Sequence, residues 1–359
     1  MSVPMFDPKE LEVRETIKDL FGQETRIYSY PVNMKEAVQA LLRKEPYWLM
    51  TGMYPSMFGP RINPDNIARA QAFEAQTLDP SEFGGQDMFG IEWEYIPEAW
   101  GSMVRPGHPL ATDANDLLKK ITWPDPATWD WEASAEANAN FLKEENCNVM
   151  YFLNGWYERL ISMMDFENAI FAVFDEDQKD AVHAFFDRLT DLYINIFDKC
   201  LHYFPMIDGF NIHDDWGSQK ETFFSPDLAE EMIVPYMRRL TDFIHSKGRF
   251  CELHSCGNNA RQVPNYIRAG WDIWQGQAMN DTHTLYEKYG DQIILGVLPE
   301  PFDPNGPEEL QRKAARNFVD HFMLPGKPCI LNYNDRSFWT IPFMEELYVY
   351  SRKKACGMV

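Results

Sequence analysis

The chain has 359 residues, 45% of them apolar, and a formal net charge of −22. Such a length and composition support a large buried core, ordinary for one barrel with an extension. The acidic balance argues against nucleic acid and against anionic membrane surfaces, both of which select clustered Lys and Arg.

The first residues, MSVPMFDPKELEVRE, show no basic n-region and no apolar h-region. No apolar run approaches about 18 residues, so no transmembrane helix is expected. Cysteines stand at 147, 200, 251, 256, 329 and 356, with no C-x-x-C among them. This pattern reads as reduced thiols in a cytoplasmic protein.

Residues 8–44 predict two helices, PKELEVRETIKDLFG and NMKEAVQALLRKE, broken by the β-leaning RIYSYP. YWLMTGM (47–53) is a first strand running into the Pro/Gly loop PSMFGP. An aromatic extended run follows at 84–98, then Pro-Gly turn signals. From about 132 the pattern alternates. Strands are expected at 148–155, 207–214, 249–255, 271–277, 292–300 and 328–335, separated by helices. With 47–52 and 88–95 the strand-like runs number eight. Eight βα units favour a (β/α)₈ TIM barrel over an open sheet. The reading is a single domain over 1–359, with residues 1–45 a helical extension outside the barrel. No G-x-G-x-x-G follows a strand, which discounts a dinucleotide fold.

Chemistry collects where the apolar runs end, as expected at the carboxyl end of a barrel. IDGFNIHDDWGSQ (207–219) ends one strand and FCELHSCG (250–257) another. Alternation places Glu252, His254 and Cys256 on one face. Such an H-x-C pair can give a nitrogen and a thiolate to one zinc ion. The alternative is a core histidine beside an inert buried cysteine. Asp214 and Asp215 are candidates for substrate or proton contact, or for holding the histidine. They could equally cap the following loop. His213 is a weaker catalytic candidate, and Gln219 a possible amide donor to substrate. Aromatics at predicted strand ends, among them Tyr54, Trp93, Trp156 and Trp216, would suit a methoxylated arene or a quaternary ammonium. Most such rings are simply packing.

Taken together, GGQDMFGIEWEY, MVRPGHP, WPDP, NGWYERL, DDWGSQ, HSCGN, IRAGWDIWQGQ and LYEKYGDQIILG make the chain resemble the uroporphyrinogen decarboxylase superfamily, in its corrinoid-dependent methyltransferase branch. The resemblance implies a barrel with its mouth at the strand carboxyl ends. It implies zinc held by His254, Cys256 and a distant cysteine, for which Cys329 has the spacing. Strand parity sets Cys329 on the face opposite Asn332 and Asn334, so Asp335 and Glu300 stand as alternatives, with Asn332 a substrate candidate. The implied activity is zinc-assisted methyl transfer from a small methylated substrate to the Co(I) corrinoid of a separate protein. The substrate could be a methoxylated aromatic, a methylamine, methanol or a methylthiol. The stretch TGMYPS (51–56) lacks the arginines that a porphyrinogen decarboxylase uses as carboxylate clamps. Decarboxylation and a non-catalytic metal-binding barrel are the other readings. A corrinoid-binding D-x-H-x-x-G is absent, since DTHTLY (281–286) lacks the glycine and reads as a helix start.

Overall fold

The computed structural model describes residues 3–18, 24–52, 56–99 and 101–359. Its centre is a parallel sheet of seven strands. Their order is 56–58, 148–152, 209–213, 250–254, 273–274, 294–297 and 329–331, each beside the next in sequence. A parallel bridge joins Leu331 to Thr51. There Gly52 N–H donates to Leu331 O, and Leu331 N–H to Met50 O, each at 2.8 Å. The last strand thus meets the segment leading into the first, and the sheet curls into an α/β barrel.

Alternation along the strands sorts the core. Met150, Phe152, Phe210, Ile212, Cys251 and Leu253 pack into the main cluster with helices Trp156–Phe174 and Lys179–Tyr203. Each fully buried large apolar side chain contributes about 2 kcal/mol by its removal from water. The alternate residues Val149, Phe250, Ile273, Ile294 and Ile330 face the barrel axis. They form a second cluster with Ala37, Val38, Ala40 and Leu41 of helix Met34–Leu42. That amphipathic helix, capped by Asn33, therefore closes the amino-terminal end of the barrel. No helix among the described residues is long and apolar enough to cross a membrane.

Three expectations change. Of the strand expected at 47–53, only the Thr51 bridge joins the sheet, whose first strand Ser56–Phe58 falls in the stretch expected as a loop; residue 53 lies outside the described ones. The helix expected at 8–22 is replaced by strand Val13–Lys18, paired antiparallel with Glu24–Tyr28; residues 19–23 lie outside the described ones. The β-branched Val13, Thr16 and Ile17 of VRETIK favour a strand over a helix. The strand expected at 88–95 is not in the barrel. Glu92–Ile96 instead forms a small antiparallel sheet with Gly85–Gln86 and Gly101–Val104. Its glutamates are exposed and Trp93 is buried. That one-sided pattern suits a sheet with a wet face, whereas a barrel strand is buried on both faces. DTHTLY is a helix start as expected, Asp281 capping helix Thr282–Tyr289.

Candidate metal centre

Strands 209–213 and 250–254 pair in parallel with His213 opposite His254, and each histidine ends its strand. Their rings lie 4.9 Å apart and nearly stacked. Cys256 follows two residues later, its Sγ 3.3 Å from His254 Nε2. The turn that returns Cys256 needs Gly257, whose φ is +87°. A Cβ there would stand 2.1 Å from Gly217 O, so the turn is pressed against the neighbouring loop. His213, His254 and Cys256 each offer a ligand atom, all within 4.8 Å of one another, and all three are partly exposed.

A ring of polar groups orients these side chains. His213 Nδ1 is 2.5 Å from Glu158 Oε2, which leaves Nε2 to face Cys256 and Asp215. Glu158 stands in the first turn of helix Trp156–Phe174 and also meets Arg69, at 3.5 Å. Arg69 in turn donates to Asn154 Oδ1 at 3.0 Å and lies over the Trp93 ring. His254 Nδ1 is 3.0 Å from the Tyr333 hydroxyl, so Nε2 is the atom turned toward Cys256. Asp215 Oδ1 accepts from Cys256 N–H at 2.5 Å and is 3.5 Å from His213 Nε2. Carboxylate and hydroxyl partners behind imidazole ligands are the usual support of a metal site.

The charges divide the two histidines. Burial disfavours the imidazolium of His213, but Asp215 and Glu158 outweigh it and raise its pKa well above the ordinary value. Burial and then the His213 charge push His254 down to about 3, so this ring is neutral and can offer one nitrogen lone pair. Burial would raise Glu158 as well, yet His213 and Arg69 hold it at about 2. Two imidazole nitrogens and a thiolate are ligands zinc accepts, and three protein ligands leave one position for another group. The donor set of His213, His254 and Cys256 therefore fits zinc.

The third side chain that meets His254 and Cys256 is His213, and Cys329 is elsewhere. Cys329 is buried on the helix-facing side of its strand, its thiol 3.3 Å from Phe322 O. Strand parity overrode the spacing. Glu300 is exposed and pairs with His283, and Asp335 bonds Ser337, so neither joins the cluster. Asp215 reaches it, but Asp214 does not. The Asp214 carboxylate is wholly buried and accepts from the N–H groups of Trp156, Tyr157 and Glu158 and from Trp216 Nε1. It caps the helix that carries Glu158. Gly155 permits this, because a Cβ there would lie 2.5 Å from Asp214 Cβ.

Most of the predicted substrate contacts are packing. Trp156 and Trp216 are fully buried, their indoles bonded to Thr190 and Asp214. Trp93 is buried and donates to Asp87. Asn332 is buried and ties Gly276 and Gly296 carbonyls. Gln219 is exposed on a loop, and Tyr54 lies outside the described residues. Glu158, Arg69 and Tyr333 were not singled out from the sequence. Glu158 had a signal, being the first acid after a strand end in NGWYERL.

Behind the site sits a buried ion cluster. Arg159 bridges Asp65 and Asp87, at 2.7 Å to Asp87, with all three side chains inaccessible. Asp65 Oδ2 also accepts from Asn154 Nδ2 at 3.4 Å, which links the cluster to Arg69.

A model of the uroporphyrinogen decarboxylase family (URO-D) matches residues 113–333, more than half of the chain. No curated protein matches the chain. Among solved structures it is similar to a methyltransferase from Methanosarcina mazei, at 15% identity and a TM-score of 0.54, over 90% of this chain and 99% of that one. Identity at that level carries the fold alone.

Proposed function

The chain belongs to the uroporphyrinogen decarboxylase family, and from that premise we propose that it is a zinc-dependent methyltransferase, passing a methyl group from a small methylated substrate to the Co(I) corrinoid of a separate protein. The observation that carries this reading is the convergence of His213, His254 and Cys256 at the carboxyl end of the barrel. The methyltransferase from Methanosarcina mazei, similar in fold, supports it. Decarboxylation is disfavoured because Arg69, the arginine next to the site, already pairs with Glu158 and Asn154 and is not free to clamp a carboxylate. We read the whole chain as one such domain.

In this mechanism His213, His254 and Cys256 would hold the ion, and Glu158 and Tyr333 would fix which imidazole nitrogen is presented. Bound zinc supplies Lewis acidity toward the departing heteroatom. The corrinoid of the partner would accept the methyl group with its own electron pair, while the pair of the old bond stays with the heteroatom. Asp215, partly exposed beside the cluster, is placed to hold the proton that the leaving group takes up. Cobalamin would arrive on a partner, since no D-x-H-x-x-G is present.

The test is anaerobic methylation of Co(I) cobalamin with a panel of methoxyarenes, methylamines, methanol and methylthiols. At least one donor should be turned over, and Cys256→Ala should remove both zinc and turnover. If zinc-loaded protein methylates cobalamin with none of them, or wild type holds no zinc, the proposal fails.

A further inference from the structure

A second convergence of metal-capable side chains lies at the other end of the barrel. His245 stands in the last turn of helix Val234–Ser246. Cys251 is the second residue of strand 250–254, and Asp272 directly precedes strand Ile273–Trp274. Parallel pairing brings these strand starts together. Asp272 N–H donates to Cys251 O at 3.0 Å, and Cys251 N–H donates to Asp272 Oδ2 at 2.8 Å.

Three kinds of donor atom meet there. His245 Nε2 is 2.9 Å from Asp272 Oδ2, and Cys251 Sγ is 3.6 Å from each. A tetrahedral zinc ion, with bonds of about 2.3 Å to sulfur and about 2.0–2.1 Å to nitrogen and oxygen, sets S···N and S···O near 3.6 Å and N···O near 3.4 Å. Two of the three separations already agree, and the third must open by about half an ångström.

Access is also right. The His245 and Asp272 side chains are 38% and 29% exposed, while Cys251 is buried beneath them. They border a cleft of about 260 Å³ under helix Met34–Leu42, which Lys35, Asp208 and Arg249 also line. Water from that cleft can complete the coordination. We propose that His245, Cys251 and Asp272 form a second divalent-cation site, suited to zinc or a similar borderline ion, that ties helix 234–246 to two barrel strands. The site is separate from the His213 cluster and does not depend on methyl transfer. The competing account is an ordinary His–Asp ion pair over a packed thiol.

The experiment uses the full chain, stripped with a chelator and titrated with zinc, then cobalt. Wild type should bind two zinc ions per chain and Cys256→Ala one. Asp272→Asn or His245→Gln, at partly exposed positions that leave the core intact, should each bind one. Cobalt-loaded Cys256→Ala should keep a thiolate-to-cobalt absorption that Cys251→Ser in that background removes. If Cys256→Ala binds no ion, the second site does not exist and the His213 site stands. If wild type itself binds a single ion, which Cys256→Ala keeps and Asp272→Asn loses, the second site stands and the zinc assignment under the proposed function falls.

Discussion

Glu158→Gln separates orientation from ligation at the metal centre. The Glu158 carboxylate is 2.5 Å from His213 Nδ1 and is itself braced by Arg69. Glutamine has nearly the same shape and its carbonyl can still accept the Nδ1 proton. The charge is lost, and with it the preference for an imidazole carrying its proton at Nδ1 and offering Nε2. Loss of such an outer partner costs about 10–100-fold in metal affinity, or about 1.4–2.8 kcal/mol at about 1.4 kcal/mol per factor of ten. Arg69 loses its partner too, which places the expected effect toward the larger value. The assay is competition for zinc against a chromophoric chelator on Cys251→Ser protein, so that the His213 cluster is read alone, with circular dichroism to confirm the fold. Affinity unchanged within a factor of about three would contradict this, since His213 would then need no carboxylate behind it.

Arg159→Met should destabilise the protein by about 3–5 kcal/mol, because it strands Asp65 and Asp87 as buried carboxylates; denaturant unfolding measures it, and replacing both acids as well (Asp65→Asn, Asp87→Asn) should recover much of the loss. Cys329→Ala should leave zinc content intact and lower stability by about 1 kcal/mol, by loss of packing beside Phe322. Glu10 should make stability depend on pH. Burial opposes its ionisation, but hydrogen bonds from Arg352 and Tyr348 prevail and lower its pKa. A lowered carboxylate stabilises above the unfolded value of about 4.3 and loses that contribution as pH falls through the native value. Glu10→Gln should thus melt below wild type at neutral pH, with the gap closing in acid; a gap constant from neutral pH to about pH 2.5 would contradict this.

The barrel was legible because strands buried on both faces read as apolar runs with helices between them. Residues 88–95 misled because aromatic content resembled a buried strand, while the flanking glutamates marked a wet face. His254 and Cys256 were legible together, since an H-x-C at a strand end shares one face. His213 was read as minor because nothing local says that its strand lies beside 250–254 in that register. Spacing favoured Cys329, while the parity of Asn332 and Asn334 pointed it away; packing followed parity. Asp214 and Asp215 are adjacent and opposite in orientation, so one caps a helix and the other faces the metal cluster. Glu158 and Tyr333 act through contacts 55 and 79 residues distant in sequence, which local pattern does not report.

The account stands on His213 completing the metal centre. The most direct measurement compares methylation of Co(I) cobalamin by zinc-treated wild type, His213→Ala and Cys329→Ala, using the donor that wild type turns over, with zinc content determined on the same samples. The account predicts that Cys329→Ala works as wild type does, while His213→Ala loses both its turnover and one bound zinc. A His213→Ala protein that keeps its zinc and its rate, beside a Cys329→Ala protein that loses both, would contradict it.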